Sequence, residues 1–169
     1  MNRIINTKQI QSFAVFLLSA VIISGCGFQL RGNIVLPPLY ERVYTVDNGY
    51  SGVAKRLTRE LNNVGSKMLS SSGDATAVLT LLSYNNQRRA LNVGGKQIRE
   101  YELRLTIVFS VQDHKGVPLS APQTVTVLRN FQNDPDNVLG KDNEELIIRK
   151  EMMQPAIIEV LRRMKALAH

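Results

Sequence analysis

Five cations stand out for the chemistry they could do. Arg88, Arg89, Lys96 and Arg99 flank the glycine pair of Val93-Gly94-Gly95, and Lys141 stands before the acidic run Asp142-Asn143-Glu144-Glu145. Basic side chains at the tips of elements can hold phosphates, and a helix start adds backbone N–H groups that favour the same charge. The bland alternative is a solvated, positively charged end of the domain. Catalytic groups are scarce. His114 and His169 are far apart, and there is no Gly-x-Ser-x-Gly elbow, paired-His metal motif or phosphate-cradling Walker loop. Successive carboxylates at 142–145 point in different directions on a helix, so they suit capping and dipole compensation better than acid–base work. These absences argue against an enzyme, and no metal site or cofactor is expected. The chain also lacks Trp and a basic–aromatic motif, which argues against nucleic-acid binding.

One thiol remains, Cys26, and its setting is specific. Arg3 and Lys8 precede an apolar run from Phe13 to Ile23 that is eleven residues long. A bilayer crossing needs about 20 apolar residues, so this run is too short to span. A basic start, a short apolar centre and small residues at the end make a secretory signal. Ile23-Ser24-Gly25-Cys26 resembles the bacterial lipobox, with Ile in place of the usual Leu. The resemblance implies cleavage after Gly25 and a covalent lipid on Cys26. Gly27 rather than Asp follows the cysteine, which implies sorting to the outer membrane. The expected division is residues 1–25 as signal peptide, 26–40 as lipidated N-terminus and linker, and 41–169 as one domain. Arg3 and Lys8 leave with the signal, so the mature chain keeps nineteen basic residues against fourteen acidic. That excess suits an anionic partner without naming one.

The elements that must position the cations follow from periodicity. Arg42 to Val46 reads as a short strand, ended by the turn Asp47-Asn48-Gly49. Ser51 is placed to cap a helix whose apolar side is Val53, Ala54, Leu57, Leu61 and Val64, with Gly65 at its C′ position. Ser70 to Asp74 is a loop, and Ala77 to Tyr84 a strand. From Arg99 to Asp113 every odd residue from Tyr101 to Val111 is apolar, which predicts a half-buried strand. Asn85 to Ile98 would join these two strands as a long hairpin tipped by Gly94-Gly95. Asp113-His114-Lys115-Gly116 is a turn, and Thr124 to Phe131 a further strand. A long helix then runs to about Ala168. Asp142 and Glu145 have capping-box spacing at its start, with a start near Asn137 as the alternative, and Pro155 should kink or divide it. The prediction is an α+β two-layer sandwich in the order βαβββα. Its four-stranded, mostly antiparallel sheet would carry two helices on one face.

With these residues in view, the chain resembles the LPS-assembly lipoprotein LptE family. Cys26-Gly27-Phe28-Gln29-Leu30-Arg31-Gly32 looks like that family's opening, and Lys141-Asp142-Asn143-Glu144-Glu145-Leu146-Ile147-Ile148 looks like its Lys-Asp-Asn-Glu segment. Glu100-Tyr101 also matches. The resemblance implies an outer-membrane lipoprotein of a Gram-negative bacterium that plugs the LPS translocon β-barrel, an LptD-like protein. It also implies support for barrel assembly and binding of lipopolysaccharide in transit. Lys141 matches the family's basic position before the last helix. At the hairpin tip, where relatives can place Arg, this chain has Gly94-Gly95 followed by Lys96. The alternative is a structural outer-membrane lipoprotein that scaffolds another envelope or barrel-assembly complex without a lipid ligand.

Overall fold

The computed structural model describes residues 34–91, 100–132 and 141–168, with the side chains of 141–143 outside the description. Cys26, Lys96, Arg99 and the Gly94-Gly95 tip lie outside the described residues. After a 3₁₀ turn at Pro38–Tyr40, the elements are β1 (Arg42–Val46), α1 (Ser51–Asn63), β2 (Lys67–Leu69), β3 (Ala77–Ala90), β4 (Glu100–Asp113), β5 (Gln123–Gln132) and α2 (Lys141–Leu167). The sheet has five strands in the order β2-β1-β3-β4-β5. β1 is parallel to both β2 and β3, whereas β3–β4 and β4–β5 are antiparallel.

The α+β class and the two helices on one face therefore stand, but the sheet gains a strand and becomes mixed. The extra strand is Lys67-Met68-Leu69, paired with Arg42, Val43 and Tyr44. Three residues are too few for a period-two pattern to register. Parallel neighbours also need a crossover, and α1 supplies it.

The core lies between the sheet and the two helices. Val53, Leu57 and Leu61 of α1 and Met152, Ile157, Val160, Leu161 and Met164 of α2 pack on Leu79, Leu81, Leu103, Leu105, Ile107 and Phe109. Every residue of this cluster falls within Ile34–His169, so that unit carries its own core. The alternation expected of β4 holds, since Leu103, Leu105, Ile107, Phe109 and Val111 are all buried. Among the described residues no helix lies over the opposite face of the sheet, which presents Thr80, Thr106, Ser110, Thr124 and Thr126.

Helix ends depart from expectation in two places. Ser51 is the first residue of α1 rather than its cap. Tyr50 holds the cap position with no side-chain bond, and its carbonyl accepts from the N–H groups of Val53 and Ala54. At the other end, Gly65 has φ +93°. Its N–H donates to the Asn62 carbonyl and that of Ser66 to Leu61, a paired closure that a left-handed glycine permits. α2 already includes Lys141, so Asp142 is not its N-cap residue. Pro155 does not divide α2, which is continuous from Lys141 to Leu167, and the proline sits on the exposed side.

Candidate functional site

The site begins with one residue out of register. Leu81 pairs with Phe109 and Ser83 with Val108, so Leu82 is an extra residue bulged from β3. Before the bulge, odd residues of β3 face the helices. After it, even residues do, because Tyr84 opposes Ile107, Asn86 opposes Leu105 and Arg88 opposes Leu103. The bulge thus turns two polar residues, Asn86 and Arg88, toward α2. β3 runs on to Ala90, so Arg88 and Arg89 lie in a paired strand and not in a hairpin loop.

This geometry separates the two arginines. Arg89 opposes Glu102 on the open face of the sheet, where its Nε lies 3.8 Å from Glu102 Oε1 and Arg104 Nη2 lies 3.1 Å from the same oxygen. Arg88 is on the helix side. Its Nη1 donates to Glu145 Oε2 at 2.9 Å, and its guanidinium sits 4.9 Å from the centre of the Tyr101 ring. Tyr101 in turn stacks on its cross-strand neighbour Phe131, with centroids 5.4 Å apart.

A third arginine joins them. Arg149 donates to Glu145 Oε1 through Nε at 2.7 Å, with Nη2 at 2.6 Å, and its Nη1 donates to Asn86 Oδ1. Glu145 therefore serves two arginines from different elements. Its partial burial disfavours the charged form, but the hydrogen bonds from Arg149 and Arg88 and their charges outweigh this and hold its carboxyl below the usual range. Arg149 is not among the five cations that the sequence singles out. The available signal was its position four residues after Glu145, the spacing of a helical ion pair. The capping-box spacing of Glu145 does not decide its role, because its carboxylate turns to the arginines.

Arg88, Glu145, Leu146 and Arg149 line an open hollow of about 420 Å³. Leu146 and Ile147 are 50% and 54% exposed, which is unusual for large apolar side chains on successive residues of a packed helix. A second hollow of about 450 Å³ lies at the start of α1, lined by Thr45, Asp47, Ser51, Lys55, Thr58 and Met68 among others. None of the expected site residues is there. His114 is exposed in its turn, where Asp113 Oδ1 accepts from the N–H groups of Lys115 and Val117. Among the described residues, no group of three or more His, Cys, Asp or Glu could hold a metal ion.

Of the five expected cations, the described residues bring Arg88 to the site and take Arg89 to the other face. Lys141 starts α2 one turn before Glu145. The sequence profile of LptE, the lipopolysaccharide-assembly family, matches residues 40–164. The chain belongs to the LptE family. The matched span takes in both β3 and β4 and all but the last residues of α2, and so the whole arginine cluster. The LPS-assembly lipoprotein LptE of Pectobacterium atrosepticum is 28% identical over 151 residues, covering 87% of this chain and 80% of that protein. Its counterpart in Photorhabdus laumondii is 27% identical over 153 residues, covering 87% and 81%. Among solved structures, lipoprotein B of Nitrosomonas europaea superposes with a TM-score of 0.70 at 25% identity, covering 84% of this chain and 92% of that one. A minor lipoprotein of Acinetobacter baumannii gives 0.64 at 26%, covering 77% and 94%. The LptE fold is thus the sheet-and-two-helix layer described above.

Proposed function

We propose that this LptE-family protein is a non-catalytic lipoprotein of the outer membrane, triacylated on Cys26 after loss of residues 1–25. It plugs and supports the LPS translocon barrel, an LptD-like partner, and binds lipopolysaccharide on its way to the outer leaflet. The family match over residues 40–164 supports the role in lipopolysaccharide assembly. The observation that carries the ligand part is the pairing of arginines with exposed Leu146, next to exposed Ile147 in sequence, on the first turns of α2 just after Lys141. Lipid A offers the matching chemistry, phosphate beside acyl chain. A sheet face rich in Thr and Ser, over which no described helix lies, suits the polar lumen of a barrel.

One observation favours the alternative of a scaffold with no lipid ligand. Glu145 already neutralises part of the arginine charge. Two experiments separate the readings. Affinity purification of the lipoprotein, with mass identification of what accompanies it, should recover a large barrel protein. Recovery of only another lipoprotein or peptidoglycan would support the scaffold. Replacing Lys141, Lys96 and Arg88 with Asp should then weaken lipopolysaccharide binding by the unlipidated domain without changing its circular dichroism. Unaltered binding would remove the ligand part.

A further inference from the structure

We infer that Glu145 is an internal stand-in for a ligand's phosphate, and that a phosphate monoester carried on an acyl chain displaces it from Arg88 and Arg149. This rests on the lipopolysaccharide reading for its biological context, but its argument is local. An ordinary ion-pair staple between α2 and β3 would need only the Arg88–Glu145 contact. Here each arginine has a second anchor that carries no charge. Arg88 lies against the Tyr101 ring, a contact that uses none of its N–H donors. Arg149 is held by the amide oxygen of Asn86. Each guanidinium group therefore keeps one contact when the carboxylate leaves.

Two arginines facing one carboxylate leave a surplus positive charge. A phosphate monoester near neutral pH carries about −1.5 to −2 and three acceptor oxygens, so it satisfies two guanidinium groups more fully than a carboxylate does. Glu145 meets Arg88 through one oxygen and Arg149 through the other. Two phosphate oxygens can make the same bridge. The hollow opens beside the cluster, so an anion can enter without unfolding α2. Arg88 is 52% exposed and is the first contact to exchange. Leu146 and Ile147 then offer a dry seat for the chain that the phosphate carries. The Glu145 carboxylate thus sets a threshold. Weak or singly bonded anions do not displace it, and a phosphorylated amphiphile does.

The test is calorimetric titration of residues 27–169, which contain the whole described core, with dodecyl phosphate below its micelle concentration and separately with inorganic phosphate. The variants are Glu145→Gln, Glu145→Asp, and Leu146→Asn combined with Ile147→Asn. Glu145→Gln should bind dodecyl phosphate about tenfold more tightly than the wild type, the size of one lost competing charged hydrogen bond. Glu145→Asp, whose shorter side chain cannot reach both arginines, should change affinity in the same direction by less. It decides the matter alone if the Gln variant does not fold. The double Asn variant should lose the advantage of dodecyl phosphate over inorganic phosphate. Equal or weaker binding by both Glu145 variants would overturn the proposal, leaving Glu145 a structural staple. Inorganic phosphate binding as tightly as the dodecyl ester would overturn the acyl seat and mark a free-phosphate site. The outcome is separable from the broader reading. Glu145-dependent dodecyl phosphate binding without lipopolysaccharide binding keeps this inference and removes the ligand role, whereas lipopolysaccharide binding indifferent to Glu145 does the reverse.

Discussion

The Tyr40 hydroxyl donates to the Met164 carbonyl oxygen at 2.6 Å, a bond between residues 124 positions apart. Tyr40 is fully buried. Met164 belongs to the last turn of α2, where carbonyls have no partner within the helix. The tyrosine thus closes the end of the last helix from the turn that leads into β1. Tyr40→Phe keeps the ring and leaves a buried carbonyl unpaired. It should lower unfolding free energy by about 1–3 kcal/mol in urea denaturation. No change would mean that another group, such as water, satisfies Met164.

The same bond predicts an alkaline limit. Burial pushes the Tyr40 hydroxyl up to about 12 from an ordinary 10. The folded state thus prefers the protonated phenol, which alone can donate. The stabilisation is fully present below pH 10 and is lost as pH rises toward 12. Subtracting the pH–stability curve of Tyr40→Phe from that of the wild type isolates this group. The difference should shrink across pH 10–12 and stay flat from 6 to 9.

Pro155 offers a stabilising change. Inside α2 it removes one backbone donor, so the Glu151 carbonyl loses its usual partner four residues on. Both residues are exposed, so Pro155→Ala restores the bond without disturbing the core. Stability should rise by about 1–3 kcal/mol, read as a higher thermal midpoint. A fall would show that the proline sets a bend on which packing of Met152 or Ala156 depends.

The two arms of the Glu145 cluster should differ in strength. Arg149 and Glu145 side chains are 20% and 18% exposed, whereas Arg88 is 52% exposed. A double-mutant cycle on Arg149→Met and Glu145→Gln should give a coupling of roughly 1–3 kcal/mol. The cycle on Arg88→Met and Glu145→Gln should give less than about 1 kcal/mol. Equal couplings would show that exposure does not govern this site.

Much of the fold could be read from spacing. The odd-residue pattern of β4 and the Gly65 stop were visible because one face of each element is buried. What escaped depended on partners that no local window contains. β2 is a strand only because β1 lies beside it. Polar Asn85 to Ala90 read as loop, yet the segment pairs along β4 from Thr106 to Tyr101. The Leu82 bulge is silent in sequence, since Leu81-Leu82 fits a strand in either register. That silence is why Arg88 and Arg89 look like one group in sequence although the sheet separates them. Of the candidate site, the cationic character near the last helix was legible. The carboxylate that binds those cations was visible too, but in another role.

The Tyr40–Met164 contact also dictates an order of events. The 3₁₀ turn at Pro38–Tyr40 and the last turn of α2 must meet before the layer is complete, and the core draws on α2 from Met152 to Met164. Such long-range closure folds slowly. A chain emerging from its N-terminus into a new compartment would therefore display β1, α1 and the broad apolar side of β3 and β4 until the final residues arrive. Loss of even the last two turns of α2 should leave that side bare and make the truncated chain a client of holding chaperones.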